Sequence, residues 1–289
     1  MRIEPVDSGS VVRSRAPRWL RSVGARLAFL LVVFLGIEAL CTPLLTAAAG
    51  INPVLSIVVG LATAAAALFG YGKLVSWLEG RRASEISLGA MPRQLTRGTL
   101  LGVGLFVLTL ALIFMCNGYR LHGGSFGGMV ASFGLMVGVA TVEELAFRGV
   151  LFRIVEERWG TLVALIVSGV VFGGLHLINP HATVWGAASI AIEGGLLAGA
   201  AYAATRSLWL PIGLHLGWNF AESGIFGATV SGSDSAVGGL LTGTPHGPAF
   251  FSGGTFGPEA SIWAVVVGGF AAYLLIRRAR KTGNWRAAR

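Results

Sequence analysis

Apolar residues run through this chain in long blocks, at about 27–49, 54–77, 98–118, 125–150, 161–179, 183–205, 208–226 and 260–276. A block of about 20 such residues is the length of helix that crosses the hydrocarbon core of a bilayer. There each backbone polar group has to be satisfied within its own segment, and a helix does this. The first block ends in Ala47, Ala48 and Ala49, which look like a leader-cleavage site. It is nevertheless longer than the about 7–15 residues of a signal-peptide core, so it reads as a retained span. The pattern predicts an all-α, polytopic integral membrane protein with about eight transmembrane helices.

The basic residues orient these spans. With the N-terminus in the cytoplasm, that side receives six arginines of segment 1–26, then Lys73, Arg81, Arg82, Arg93, Arg97, Arg153, Arg158, Arg206 and the basic tail 277–289. The opposite side receives only Arg120. So strong a bias favours both termini in the cytoplasm and an even number of spans. The net charge of +9 is therefore an orientation signal, with no basic patch for nucleic acid. Only 12% of the 289 residues are charged, about half the share usual in soluble domains, and the mean hydropathy is +0.73. A soluble enzyme and a disordered chain are both excluded. Cys41 and Cys116 lie in apolar blocks without the spacing of a disulfide framework or a metal knuckle. The chain reads as a basic segment 1–26, one transmembrane domain 27–276 and a basic tail 277–289. A Gly/Ser-rich stretch at 227–257 is expected as a long external loop.

Pairs of glycines at GxxxG spacing occur in four consecutive spans: Gly134/Gly138, Gly169/Gly173, Gly195/Gly199 and Gly213/Gly217. Small residues at this spacing let helix backbones approach closely in lipid, which predicts a tight central bundle. The same four spans hold ionisable and amide side chains that are costly in a membrane and tend to face a protein interior or a cavity. Glu144 and Arg148 are four residues apart with the acid first, the better order for a helical pair, and His215 and Asn219 share one helix face in the same way. Glu143 is turned about 100° from Glu144, so the two carboxyls need not do the same work. Glu144 is expected to stay ionised against Arg148. Glu143 is expected to be poised as a general base.

Counted along helices rising 1.5 Å per residue, Glu143 and His176 lie at similar depths, roughly 21 and 24 Å, and are expected to meet. His215 comes out at only roughly 11 Å on the same count. Either its span starts deeper or its helix is tilted. Plainer readings stand beside each residue: a structural ion pair for Glu144/Arg148, interhelical hydrogen bonding for His176 and Asn219. Glu38 and Glu222, without an obvious partner, read as structural or cavity-lining. Glu193 is undecided. Arg153, Glu156, Glu157 and Arg158 read as a solvated helix end, and His122, His181 and His246 as surface residues.

Taken in order, Glu143-Glu144-x-x-x-Arg148, Phe172-x-x-x-His176 and His215-x-x-x-Asn219 resemble the three motifs of the CAAX-protease and bacteriocin-processing (CPBP, or ABI) family, intramembrane endopeptidases of the type II CAAX prenyl protease class. The resemblance covers about 125–222. It implies a helical membrane core with a central polar cavity. By the family mechanism Glu143, aided by His176, would activate water. His215 and Asn219 would stabilise the oxyanion, with Glu144 and Arg148 supporting the site.

The preferred reading has no cofactor and a metal-free glutamate/histidine site. A His₂Glu zinc site on Glu143, His176 and His215 stays open, since three protein ligands with one open position suit catalytic zinc. The expected partners are the lipid bilayer and a peptide or lipidated-protein substrate within it. The arginine-rich, lysine-poor composition suggests a bacterial inner membrane. Two other classes stay in view: a transporter or proton relay, against which the lack of an internal repeat counts, and a non-catalytic scaffold or immunity protein.

Overall fold

The computed structural model describes residues 16–234 and 237–288. Part of the N-terminal basic segment, with Arg2, Arg13 and Arg15, lies outside the described residues, as does Arg289 of the tail. The chain is an integral membrane protein built almost wholly of helix. Its main helices are α1 (Val23–Ile51), α2 (Pro53–Glu79), α3 (Met91–Met115), α4 (Phe126–Glu144), α5 (Arg153–Leu175), α6 (Val184–Ile190), α7 (Leu197–Thr205) and α8 (Trp209–Asn219). The short α9 (Ala249–Ser252) and the long α10 (Ile262–Lys281) complete the set.

Among the described residues six helical stretches are long and apolar enough to cross a membrane: Val23–Ile51, Pro53–Glu79, Ser84–Met115, Phe126–Ile178, Val184–Thr205 and Ile262–Lys281. The expected eight spans therefore do not all appear as separate crossings of sufficient length. The fourth and fifth merge into the 53-residue stretch Phe126–Ile178. It bends at Gly160, whose φ of +77° is left-handed backbone that favours glycine. A Cβ there would also meet the backbone of Ala288 at 2.7 Å. The seventh block, 208–226, is α8 with a short extension and falls outside the six.

Glycine faces set the helix pairs. α3 lies along α8, α2 along α4, and α5 against residues 191–196. A Cβ on Gly134 would meet Ser56 and Ile57 backbone at 2.4–2.6 Å, and one on Gly195 would meet Gly169 Cα at 2.6 Å. At Gly213 it would meet Thr99 N at 2.9 Å and Gly98 Cα at 3.1 Å. Each predicted GxxxG face is thus a place where two elements pack with no room for a side chain, which in lipid supplies packing that hydrophobicity alone does not.

One end of the bundle is tied by charge, which corrects the reading of residues 153–158 as a solvated helix end. Arg153 and Glu156 are buried, and only Arg158 of the four is exposed. Arg153 pairs with Glu79 at 2.6 Å and Glu157 at 2.9 Å, Arg26 joins Glu157, and Arg81 pairs with Glu79 and Glu85. Arg206 reaches Glu156 and the carbonyl of Asn284, so the tail packs back onto the corner at Gly160. Basic residues assigned to one side of the membrane therefore do gather at one end.

At the other end the 227–257 stretch is partly ordered by pairing. β1 (Tyr119–Gly123) and β2 (Leu241–Pro245) form an antiparallel ribbon in which Leu121 faces Gly243. Gly213→Val should lower the melting temperature of the purified protein. Gly104→Val, at a glycine where an added Cβ would meet nothing within 4 Å, should leave it nearly unchanged. Thermal unfolding in detergent followed by intrinsic tryptophan fluorescence checks both.

Candidate active site

Two π-helical segments contribute to the cavity wall, Leu145–Phe152 after α4 and Ala191–Leu196 between α6 and α7, and a third, Phe220–Ile225, follows Asn219 at the end of α8. A π turn shifts the backbone hydrogen-bond pattern and frees carbonyls from the i→i+4 ladder; such turns recur at functional sites. Here the carbonyls have visible takers. Arg148 donates through Nη2 to Gly194 O at 2.8 Å and Gly195 O at 3.0 Å. Gly149 O accepts from Arg153 Nε at 2.8 Å and lies 2.9 Å from the Tyr71 hydroxyl.

Glu144 and Arg148 form the expected pair at 2.6 Å, and neither side chain has any solvent exposure. The guanidinium also lies 4.7 Å from the Phe172 ring centroid, a cation–π contact made in a dry setting. The same Glu144 Oε1 accepts from His215 Nδ1 at 3.0 Å. That bond puts the proton of neutral His215 on Nδ1, and leaves Nε2 facing the Asn219 amide at 3.1 Å and Glu143 Oε2 at 3.7 Å. The depth mismatch for His215 resolves because α8 starts inside the protein. Leu208 N donates to Glu85 O, and the Trp209 indole to Ser87 O, so the helix begins beneath the 84–90 connection.

Glu143 projects differently from its neighbour, as the 100° turn requires. It lines the cavity, and its buried Oε2 has no hydrogen-bond partner among the described residues. The imidazole in reach of it is that of His215. The expected meeting of Glu143 with His176 is not made as a direct hydrogen bond among the described residues. His176 donates from Nδ1 to Phe172 O, one turn back at 2.7 Å, and packs on the Phe172 ring, which also contacts His215. Both histidines border the same cavity. With its proton on Nδ1, His176 keeps a free Nε2.

The cavity has a volume of about 690 Å³. Its walls are mostly apolar, with Leu35 and Thr42 of α1, Leu135 of α4 and Ile190 of α6, and carboxyls break into them. Glu38, read as partnerless, stands beside Glu143, and Glu193 also lines the wall. Glu222 is buried behind the wall, facing the carboxyl of Glu259. Glu259 was not singled out in the sequence. The signal available was an acid in a Gly/Ser-rich stretch, Gly257-Pro258-Glu259, immediately before an apolar span. Its carboxylate accepts from the backbone and hydroxyl of Ser231, both at 2.7 Å, while burial pushes its pKa above the ordinary carboxylate range. No group of three or more His, Cys, Asp or Glu among the described residues is disposed to hold a metal. Both nitrogens of His215 are already engaged.

Residues 125–221 match the family model described as Type II CAAX prenyl endopeptidase Rce1-like. The match covers about a third of the chain. No curated protein and no solved structure matches the chain. The matched segment contains Glu143, Glu144, Arg148, His176, His215 and Asn219, with two of the three π segments wholly inside it and the third, Phe220–Ile225, running past its end. Glu38 on α1 and Glu259 before α10 are brought to its cavity from outside the matched segment.

Removing one partner of a buried ion pair strands the other, at a typical cost of about 3–5 kcal/mol. Arg148→Ala should therefore cut the yield of monodisperse protein and lower its melting temperature more than His176→Ala does. Size-exclusion chromatography with a thermal melt reads both.

Proposed function

We propose that this chain is an intramembrane endopeptidase that hydrolyses a peptide bond of a membrane-embedded or lipidated polypeptide, of CAAX or peptide-processing type, with water activated by Glu143. The observation that carries the reading is the contrast between two adjacent carboxyls. Glu144 is held through Oε1 by Arg148 and His215 behind the wall, whereas Glu143 has no arginine partner and lines a cavity large enough for a peptide segment. The Rce1-like match over the same residues supports it.

In this mechanism Glu143 takes a proton from water as the water oxygen bonds to the scissile carbonyl carbon, a step in which a positioned base contributes about 10²–10⁴-fold. His176, whose Nδ1 is engaged by Phe172 O, holds that water through Nε2. The negative charge that develops on the carbonyl oxygen is met by the second N–H of the Asn219 amide, whose first N–H is oriented by His215 Nε2, with His215 in turn held by Glu144. Collapse of the tetrahedral intermediate breaks the C–N bond, and Glu143 returns its proton to the leaving nitrogen. Arg148 holds Glu144 in place, and so orients His215 without touching substrate. The apolar walls suit an apolar or lipid-bearing segment. The site is read as metal-free, with chemistry carried by Glu143 and the two histidines.

Cleavage of a membrane-peptide library by purified protein tests this reading. Glu143→Gln should lower turnover by at least about 10²-fold with the melting temperature retained. Full activity in that variant overturns the mechanism. Wild-type cleavage should persist in a zinc chelator; loss on chelation with recovery on added zinc would overturn the metal-free assignment and keep the enzyme.

A further inference from the structure

The cavity wall carries more acid than hydrolysis uses. Five carboxylate side chains line it, Glu38, Glu143, Asp234, Glu193 and Glu259, and the lining contains neither lysine nor arginine. Glu38 stands with Glu143, and Asp234 pairs with His181 at the exposed rim. Glu193 is different. It is 3% exposed, lies in the π segment Ala191–Leu196, and takes no hydrogen bond or ion pair among the described residues. Its backbone position is fixed by α10, because Gly268 packs directly against it, where a Cβ would come within 2.5 Å of Glu193 Cβ. Arg148, the nearby cation, gives its two terminal nitrogens to Glu144, Gly194 O and Gly195 O and makes no bond to Glu193. Glu259 lies within electrostatic reach of Glu193, and Glu222, also without a hydrogen-bond donor, backs Glu259.

A buried carboxyl with no cation to pair it is costly in a protein interior and more so in a membrane. Glu193 and Glu259, on one cavity wall and held by close packing, are compensated when a cation enters. No metal-binding group is formed there among the described residues, so the complementary ligand is an organic cation on a flexible stem. The geometry points to Glu193 and Glu259 as a specificity subsite that takes the side chain of a lysine or arginine of the substrate. This subsite rests on the endopeptidase reading above and extends it. An apolar segment with one basic residue would then lay its apolar side chains on the leucine-lined walls. Its charge would sit against the carboxyls.

The test uses fluorescein-labelled apolar peptides in detergent micelles, each with one lysine moved position by position, together with norleucine counterparts of similar size and no charge. Wild-type protein should cleave one lysine register at least about tenfold better in kcat/KM than its norleucine counterpart, the scale of a buried charge pair. That ratio should fall toward one in Glu193→Gln or Glu259→Gln. Either variant suffices if the other does not fold. No lysine preference at any position overturns the subsite, and so does a preference that survives both substitutions or an equal loss on both peptides. Binding measured by fluorescence anisotropy on Glu143→Gln gives a second readout. Lysine over norleucine selectivity there, lost in the Glu143→Gln/Glu193→Gln double variant, supports the subsite even if wild type cleaves nothing. Absence of cleavage with selective binding overturns the endopeptidase reading alone.

Discussion

The guanidinium of Arg148 is the point on which the site is built. It is fully buried, and each of its contacts determines the position of a different element. Its bond to Glu144 ties the π segment after α4 to the end of α4. Its bonds to Gly194 O and Gly195 O tie the same segment to the π turn that carries Glu193, and its face on Phe172 adds α5. Through Glu144 it reaches His215 on α8. A cation in this position is stable only when its acceptors are complete, because an unpaired charge in a membrane interior has no water to fall back on. These carbonyls sit where the backbone at 191–196 departs from the α-helical ladder, and Gly194 O accepts from both Arg148 and the Leu197 backbone N–H.

This arrangement separates the roles of two adjacent carboxyls. Glu144 is consumed by structure, and in being so consumed it sets the tautomer and orientation of His215. Glu143, one residue earlier and turned about 100°, lines the cavity without an arginine partner. Phe172 then contacts both histidines, which line the same cavity. The helix faces of glycine make such closeness feasible. Without Cβ atoms at Gly169, Gly195, Gly213 and Gly217, backbones meet and short side chains can bridge from one helix to the next.

The carboxyl-rich wall fits the same logic in reverse. Where the chain supplies a cation, as at Arg148 and in the Arg153–Glu79 network at the opposite end, buried acids are paired. Around the cavity it supplies none, and acids without a cation there mark a place where the missing partner comes from outside the fold.

Much of this was written in the sequence by itself. The apolar blocks determined the helical membrane architecture, because only a helix satisfies its own backbone over a length of about 20 apolar residues. The four-residue spacings determined the Glu144–Arg148 pair, the shared face of His215 and Asn219, and the divergence of Glu143, since all three follow from a local period of 3.6. What lay beyond it depended on contacts far apart in the chain. Counting depth from assumed helix starts put Glu143 with His176, but α8 starts inside the protein and places His215 there instead. The charged run at 153–158 looked solvated because its partners Glu79, Arg26 and Arg206 are distant in sequence. Six long stretches replaced eight blocks because a glycine corner joins two of them and α8 is short. The π segments and the gathering of Glu38, Glu193 and Glu259 at one cavity have no local signature. They arise where packing pulls a helix off its regular ladder and brings remote side chains together, which only the tertiary structure decides.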